Sequence, residues 1–132
     1  MENPYRNTHT TVSMLHYHFV FCPRYRRKVL INEVESRFKI LINEICQQHD
    51  WRIIAMETMP DHVHLFLSAL PTDAPSEIMA KIKGFTSRRL RQEFEHLSHG
   101  SSLWTRSYFV STACNVSSDT IMKYVESQKK RS

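Results

Sequence analysis

The stretch "TMPDHVHLFLS", residues 58–68, constrains this chain more than any other: it opens as a turn and continues as an alternating strand. Side chains two apart on a strand share a face. Val63, Leu65, Leu67 and Ala69 therefore form one apolar side, which must be covered by packed elements. His62, His64, Phe66 and Ser68 stand together on the other. Such a strand belongs in a sheet buried on one face and differently used on the opposite one.

The remaining segments supply that sheet and its cover. "TVSMLHYHFVFC" (11–22) reads as a strand with Leu15, Tyr17, Phe19 and Phe21 on one side and His16, His18 and Val20 on the other. Residues 32–50 carry Val34, Phe38, Leu41, Ile42 and Ile45 at helical spacing, with Asn32 placed as an N-cap. Residues 51–59 form a second strand, joined to the first-quoted one by a Pro60-Asp61 turn. A long helix follows over 73–97, beginning near Pro75 or Ser76. Gly84 inside it costs helix stability and suggests close packing. A short strand over 107–112 and a terminal helix over 117–130, capped by Ser117 or Ser118, complete the chain.

The order β-α-β-β-α-β plus one helix predicts an α+β, ferredoxin-like antiparallel sheet with two helices on one face. The expected organisation is a single domain over 1–132, with residues 1–10 as an N-terminal extension. In this fold the first and third strands are central neighbours. Both His-X-His pairs would then share the open face, opposite the core.

Composition narrows the function. A 41% hydrophobic content at 132 residues suits a globular domain rather than a disordered chain. No apolar run approaches a membrane span and the first residues lack a signal-peptide h-region, so the expectation is a cytoplasmic protein without a membrane partner. Cys22, Cys46 and Cys114 are odd in number and widely spaced, and read as free thiols. Only two glycines occur, which excludes a glycine-rich phosphate loop. The net charge of +5 is clustered: Arg24, Arg26, Arg27 and Lys28 follow the first strand. Lys81, Lys83, Arg88, Arg89 and Arg91 lie in the long helix, and Lys129, Lys130 and Arg131 close the chain. Clusters of this kind fit a phosphate-tracking surface, although any one of them also fits a solvated helix face.

With eight histidines among 132 residues, a His-X-His pair carries little by itself. Its weight comes from the terminal helix. Tyr124 and Gln128 are four apart and share a helical face, whereas Glu126 falls off that face and reads as solvated. His62, His64 and the Gln128 amide oxygen suit a three-ligand site for a divalent metal. Tyr124 would stand one turn away, where a metal and basic side chains favour a nucleophilic phenolate. Taken singly, Tyr124 reads as a packing residue and Gln128 says nothing. His16 and His18 read as a structural or DNA-contacting pair. Asp61 has two readings, a turn aspartate or a carboxylate orienting a ligand imidazole.

"PDHVHLFLS", "YFVST" and "YVESQ", with "YHFVFCPRYRRKVL" (17–30) and "IKGFTSRRL" (82–90), together resemble the single-tyrosine HUH transposases, the TnpA-like enzymes of small hairpin-ended insertion sequences. The likeness spans about residues 11 to 130. It implies a divalent metal, Mg2+ or Mn2+, held by His62, His64 and Gln128, with Tyr124 as nucleophile. It implies cleavage and rejoining of single-stranded DNA beside hairpins through a 5′-phosphotyrosine intermediate. It also implies a homodimer in which each tyrosine helix serves the other subunit's histidines. Arg24, Arg26, Arg27, Lys28, Lys81, Lys83, Arg88 and Arg89 are the candidate DNA contacts. One departure is visible: where the family commonly has a glycine after the "YFVST"-like strand, this chain has Ala113-Cys114-Asn115.

Two further readings share some of these features. A domesticated relative acting on chromosomal hairpin repeats would use the same chemistry. A non-catalytic single-stranded nucleic-acid module would use basic clusters and stacking aromatics on the sheet, and leaves the His62, His64, Tyr124 and Gln128 constellation unexplained. A structural zinc site lacks an evident fourth ligand.

Overall fold

The computed structural model describes residues 14–112 and Glu126. Four strands, β1 (Leu15–Phe21), β2 (Arg52–Met59), β3 (His62–Ala69) and β4 (Phe109–Thr112), form one sheet in the order β2-β3-β1-β4. Every pairing is antiparallel. Helices α1 (Asn32–Gln48) and α2 (Pro75–Glu93) complete the βαββαβ order expected of a ferredoxin-like domain. The terminal helix expected over 117–130 lies outside the described residues except for Glu126, as do residues 1–10 and Cys114.

Burial follows the strand alternation. Tyr17, Phe19 and Phe21 of β1 and Val63, Leu65, Leu67 and Ala69 of β3 enter one core with Val34, Phe38, Leu41, Ile42 and Ile45 of α1. Leu15, at the start of β1, remains exposed. Helix α2 adds Ile78, Met79, Ile82 and Leu90 to the same layer. In edge strand β2 the register shifts between Ile53 and Ala55, and Ile54 is left exposed.

Several boundaries differ from the sequence expectation. Asn32 is not an N-cap: Ile31 holds that position without a side-chain cap, and Asn32 adopts φ 52°, a left-handed conformation asparagine tolerates. Helix α2 ends at Glu93 because Phe94 turns extended (φ −121°, ψ 111°) and packs against the core. Gly84 marks no close approach, since a Cβ there would meet nothing within 4 Å.

The segment after α2 is more ordered than a plain loop. Trp104 is buried edge-on against Phe21, with ring centroids 4.9 Å apart, and its Nε1 donates to Thr86 Oγ1 at 3.0 Å. The Thr86 hydroxyl in turn donates to the Ile82 carbonyl at 2.8 Å, so this buried polar pair is satisfied. Thr105 N–H donates to Cys22 O and Arg24 N–H to Leu103 O, which fastens the segment beside the end of β1.

Candidate active site

Strand pairing assembles the face opposite the helices. In the β1–β3 register Val20 faces His64, His18 faces Phe66 and His16 faces Ser68. The β1–β4 register adds Phe109 beside Val20 and Ser111 beside His18. The two His-X-His pairs are therefore neighbours, as the topology requires. The face is less open than expected: His18 and His62 are buried and His64 is half-buried.

The imidazoles are held individually. His62 Nδ1–H donates to Asp61 Oδ1 at 2.8 Å. Asp61 sits in the β2–β3 turn and also holds this ring by a hydrogen bond. Its other oxygen, Oδ2, accepts from Arg26 Nε at 2.7 Å and Arg26 Nη2 at 2.6 Å. Burial pushes the Asp61 carboxyl up, but the hydrogen bonds from His62 and Arg26 and the Arg26 charge outweigh it and hold it below the usual range. His64 Nδ1 lies 3.1 Å from His18 Nε2. His18 stacks flat on Phe66, with centroids 4.0 Å apart and an interplanar angle of 11°. Burial lowers the basicity of both His18 and His64, and neighbouring imidazole charge lowers it further: that of His64 for His18 and of His62 for His64.

Arg26 owes its inward direction to an unusual backbone. Tyr25 (φ 58°) and Arg26 (φ 52°) are consecutive left-handed residues in the single 3-10 turn Arg24–Arg26. Such conformations cost about 1–3 kcal/mol each and persist where surrounding contacts fix them. Arg26 Nη1 also meets Glu126 Oε2 at 3.3 Å. Glu126 is exposed, as its sequence reading expects, and pairs with Arg26 from that position. Tyr124 and Gln128 lie outside the described residues. Among the described residues, no cluster of three or more His, Cys, Asp or Glu side chains is arranged to hold a metal. The donor chemistry of His62 fits one member of the expected three-ligand neutral set: a His62 that donates from Nδ1 to Asp61 can offer the lone pair of Nε2.

The basic residues divide into two groups. Arg27, Lys28, Lys81 and Arg88 are exposed, and Arg89 is half-buried with its guanidinium 5.0 Å from the Phe85 ring centroid. Exposed Tyr25 has the guanidinium carbons of Arg24 and Arg27 each 5.5 Å from its ring centroid. Arg26 and Lys83 are turned onto protein acceptors instead, Arg26 onto Asp61. Lys83 Nζ donates to the carbonyls of Thr105 at 2.7 Å and Ser107 at 2.8 Å, and burial pulls its ammonium down to about 8. Arg91, two turns further along α2, donates to Gly100 O at 2.6 Å and Ser98 O at 3.2 Å. Their spacing along one helix face turns both cations onto the following segment. Beside Lys83 opens a cleft of about 620 Å³, lined also by Arg24, Ser87, Ser101, Ser102 and Arg106. Arg24 donates to the Ser101 hydroxyl at its rim. The sequence reading missed this cleft because its wall is a loop with no periodic signal.

Cys22 and Cys46 are buried free thiols, pushed up to about 12 by burial and so unreactive. No helix among the described residues is long and apolar enough to cross a membrane.

The family described as "Transposase IS200 like" matches residues 11–128. Over 120 residues the chain is 38% identical to the ISDra2 transposase TnpA of Deinococcus radiodurans, covering 89% of this chain and 86% of that protein. It is 31% identical over 99 residues to the transposase for insertion sequence element IS200 of Salmonella typhimurium, covering 73% of this chain and 65% of the relative. A crystal structure of a candidate transposase from Deinococcus radiodurans superposes with a TM-score of 0.86 at 33% identity, covering 93% of this chain and 97% of that one. The REP-associated tyrosine transposase bound to a REP hairpin shares the fold at a TM-score of 0.59 and 16% identity, over 91% and 68% of the two chains. Fold and sequence agree on a class, the DNA-processing enzymes of transposition. The chain belongs to the IS200-like transposase family.

Proposed function

We propose that this protein cleaves and rejoins single-stranded DNA at hairpin-bearing insertion-sequence ends, using Tyr124 as nucleophile. The observation that carries this reading is the treatment of His62. Asp61 fixes its Nδ1 proton at 2.8 Å and leaves Nε2 as the donor atom, which is how a ligand imidazole is oriented. His62, His64 and Gln128 would hold a divalent ion, Mg2+ or Mn2+, and such an ion polarises a phosphoryl oxygen and stabilises its developing charge.

The covalent step balances within the chain and its substrate. Tyr124 Oη loses its proton and attacks phosphorus, the bond to the 3′-oxygen breaks, and that oxygen takes up a proton to leave as a 3′-hydroxyl. The new bond is a 5′-phosphotyrosine. Because the phosphodiester's energy is conserved, a 3′-hydroxyl can attack the same phosphorus and restore free Tyr124. Hydrolysis by water would forfeit rejoining. Exposed Arg27, Lys28, Lys81 and Arg88 are assigned to the DNA backbone. The working unit is assigned as a homodimer whose sites combine one chain's histidines with the other's Tyr124.

The test is incubation with labelled single-stranded element ends followed by a denaturing gel. A covalent adduct with wild type, absent for Tyr124→Phe while hairpin binding persists, supports the reading. An adduct formed by Tyr124→Phe would remove the nucleophile assignment. Mixing Tyr124→Phe with a chain carrying His62→Ala and His64→Ala tests the shared site, because a verified heterodimer regains one intact site only if the tyrosine acts in trans.

A further inference from the structure

We propose that His18 is a positioning residue that fixes the tautomer and orientation of His64, as Asp61 does for His62. This rests on the metal-ligand reading given above but concerns a side chain outside that ligand set. The geometry points to it directly. His64 Nδ1 and His18 Nε2 are 3.1 Å apart, and one proton fits between them. If His18 donates, His64 accepts at Nδ1, carries its own proton on Nε2, and has no lone pair to give there. If His64 donates, its Nε2 is bare and available.

Two features select the second arrangement. His62 makes the same choice through Asp61, with Nδ1 donating at 2.8 Å. The two rings are T-shaped neighbours with centroids 5.1 Å apart, so matching tautomers leave both Nε2 atoms as acceptors on adjoining rings. The His18 ring is in turn immobilised on Phe66 and edge-on to Phe109, 6.3 Å away. A residue so fixed holds its partner's direction as firmly as its protonation. Cross-strand diagonal placement supplies the contact: His18 pairs with Phe66, one strand repeat from His64.

The experiment uses protein labelled with 15N-histidine and long-range nitrogen–proton NMR without added metal, which reads the protonated nitrogen of each ring. The expected wild-type result is Nδ1–H for both His62 and His64. His18→Phe keeps the flat stack on Phe66 but removes the acceptor, and His64 alone should lose its fixed tautomer while His62 remains an internal control. His18→Gln, whose Oε1 takes the place of Nε2, should restore it. Mn2+ affinity, followed by electron paramagnetic resonance, should fall about 10–100-fold in His18→Phe and recover in His18→Gln. Nε2–H on wild-type His64, or an unchanged His64 signal in His18→Phe, overturns the proposal. Should His18→Phe fail to fold, the wild-type spectrum and His18→Gln still decide. Wild type that shows Nδ1–H on His64 yet binds no Mn2+ supports the orienting role and overturns the metal centre instead.

Discussion

Lys83 Nζ and the carbonyl oxygen of Thr105 are 2.7 Å apart, a contact between α2 and the segment that leads into β4. Burial lowers this ammonium to about 8. An unfolded lysine keeps its proton to near 10.4, so between these values the unfolded state binds more protons and stability from this group rises with pH. Below pH 8 both states are protonated and the full cost of the buried charge is present. Urea unfolding from pH 7 to 10.5 should show this rise in wild type and lose it in Lys83→Met. Identical slopes would contradict the assignment.

Asp61→Asn and Arg26→Ala should each slow single-turnover cleavage by about 10–100-fold, the usual cost of losing a partner that orients a ligand. Arg26→Lys should not rescue, because a lysine cannot present Nε and two Nη groups as a planar fork. Cleavage by Arg26→Lys at the wild-type rate would mean that charge alone suffices.

Leu65 is fully buried between β1, β2 and the helices, and its truncation to alanine should cost about 2–5 kcal/mol by urea unfolding. His64→Ala, on the opposite face, should instead abolish metal-dependent cleavage with a much smaller change in stability. A Leu65→Ala protein with unaltered unfolding would contradict the packing described.

DNA affinity should fall steeply with salt. Removing one phosphate contact reduces the log–log slope by about 0.7–0.9. Arg88→Ala and Arg27→Ala should show that reduction, whereas Lys83→Met should not, since its ammonium is already taken by carbonyls. Tyr25→Ala should weaken single-stranded binding while leaving the salt slope intact, as expected for an exposed ring that stacks. Fluorescence anisotropy titrations between 50 and 200 mM salt, roughly the range over which such contacts separate, measure all four.

Alternation in β1 and β3 and helical spacing in α1 made the core legible before any coordinates. The α1 residues Val34, Phe38, Leu41, Ile42 and Ile45 are all buried. The same alternation brought both histidine pairs to one face. It could not reveal the His18–His64 contact, which depends on cross-strand register. Nor could it separate Lys83 from Arg88, because charge has no direction until a neighbouring segment supplies acceptors. Asn32 failed as a cap and Gly84 as a packing mark because both were judged by residue type, and backbone dihedral and neighbouring atoms decide such roles. Arg26 was legible only as charge. Its inward turn comes from two left-handed residues that no periodicity encodes.

Arg26 spends one planar cation on two carboxylates, Asp61 through Nε and Nη2 and Glu126 through Nη1. A rigid plane cannot tilt toward one without changing its angle to the other. One guanidinium plane thus bridges residue 126 and the carboxylate that accepts from His62, so the chain's two most separated acidic partners in this site share a single cation.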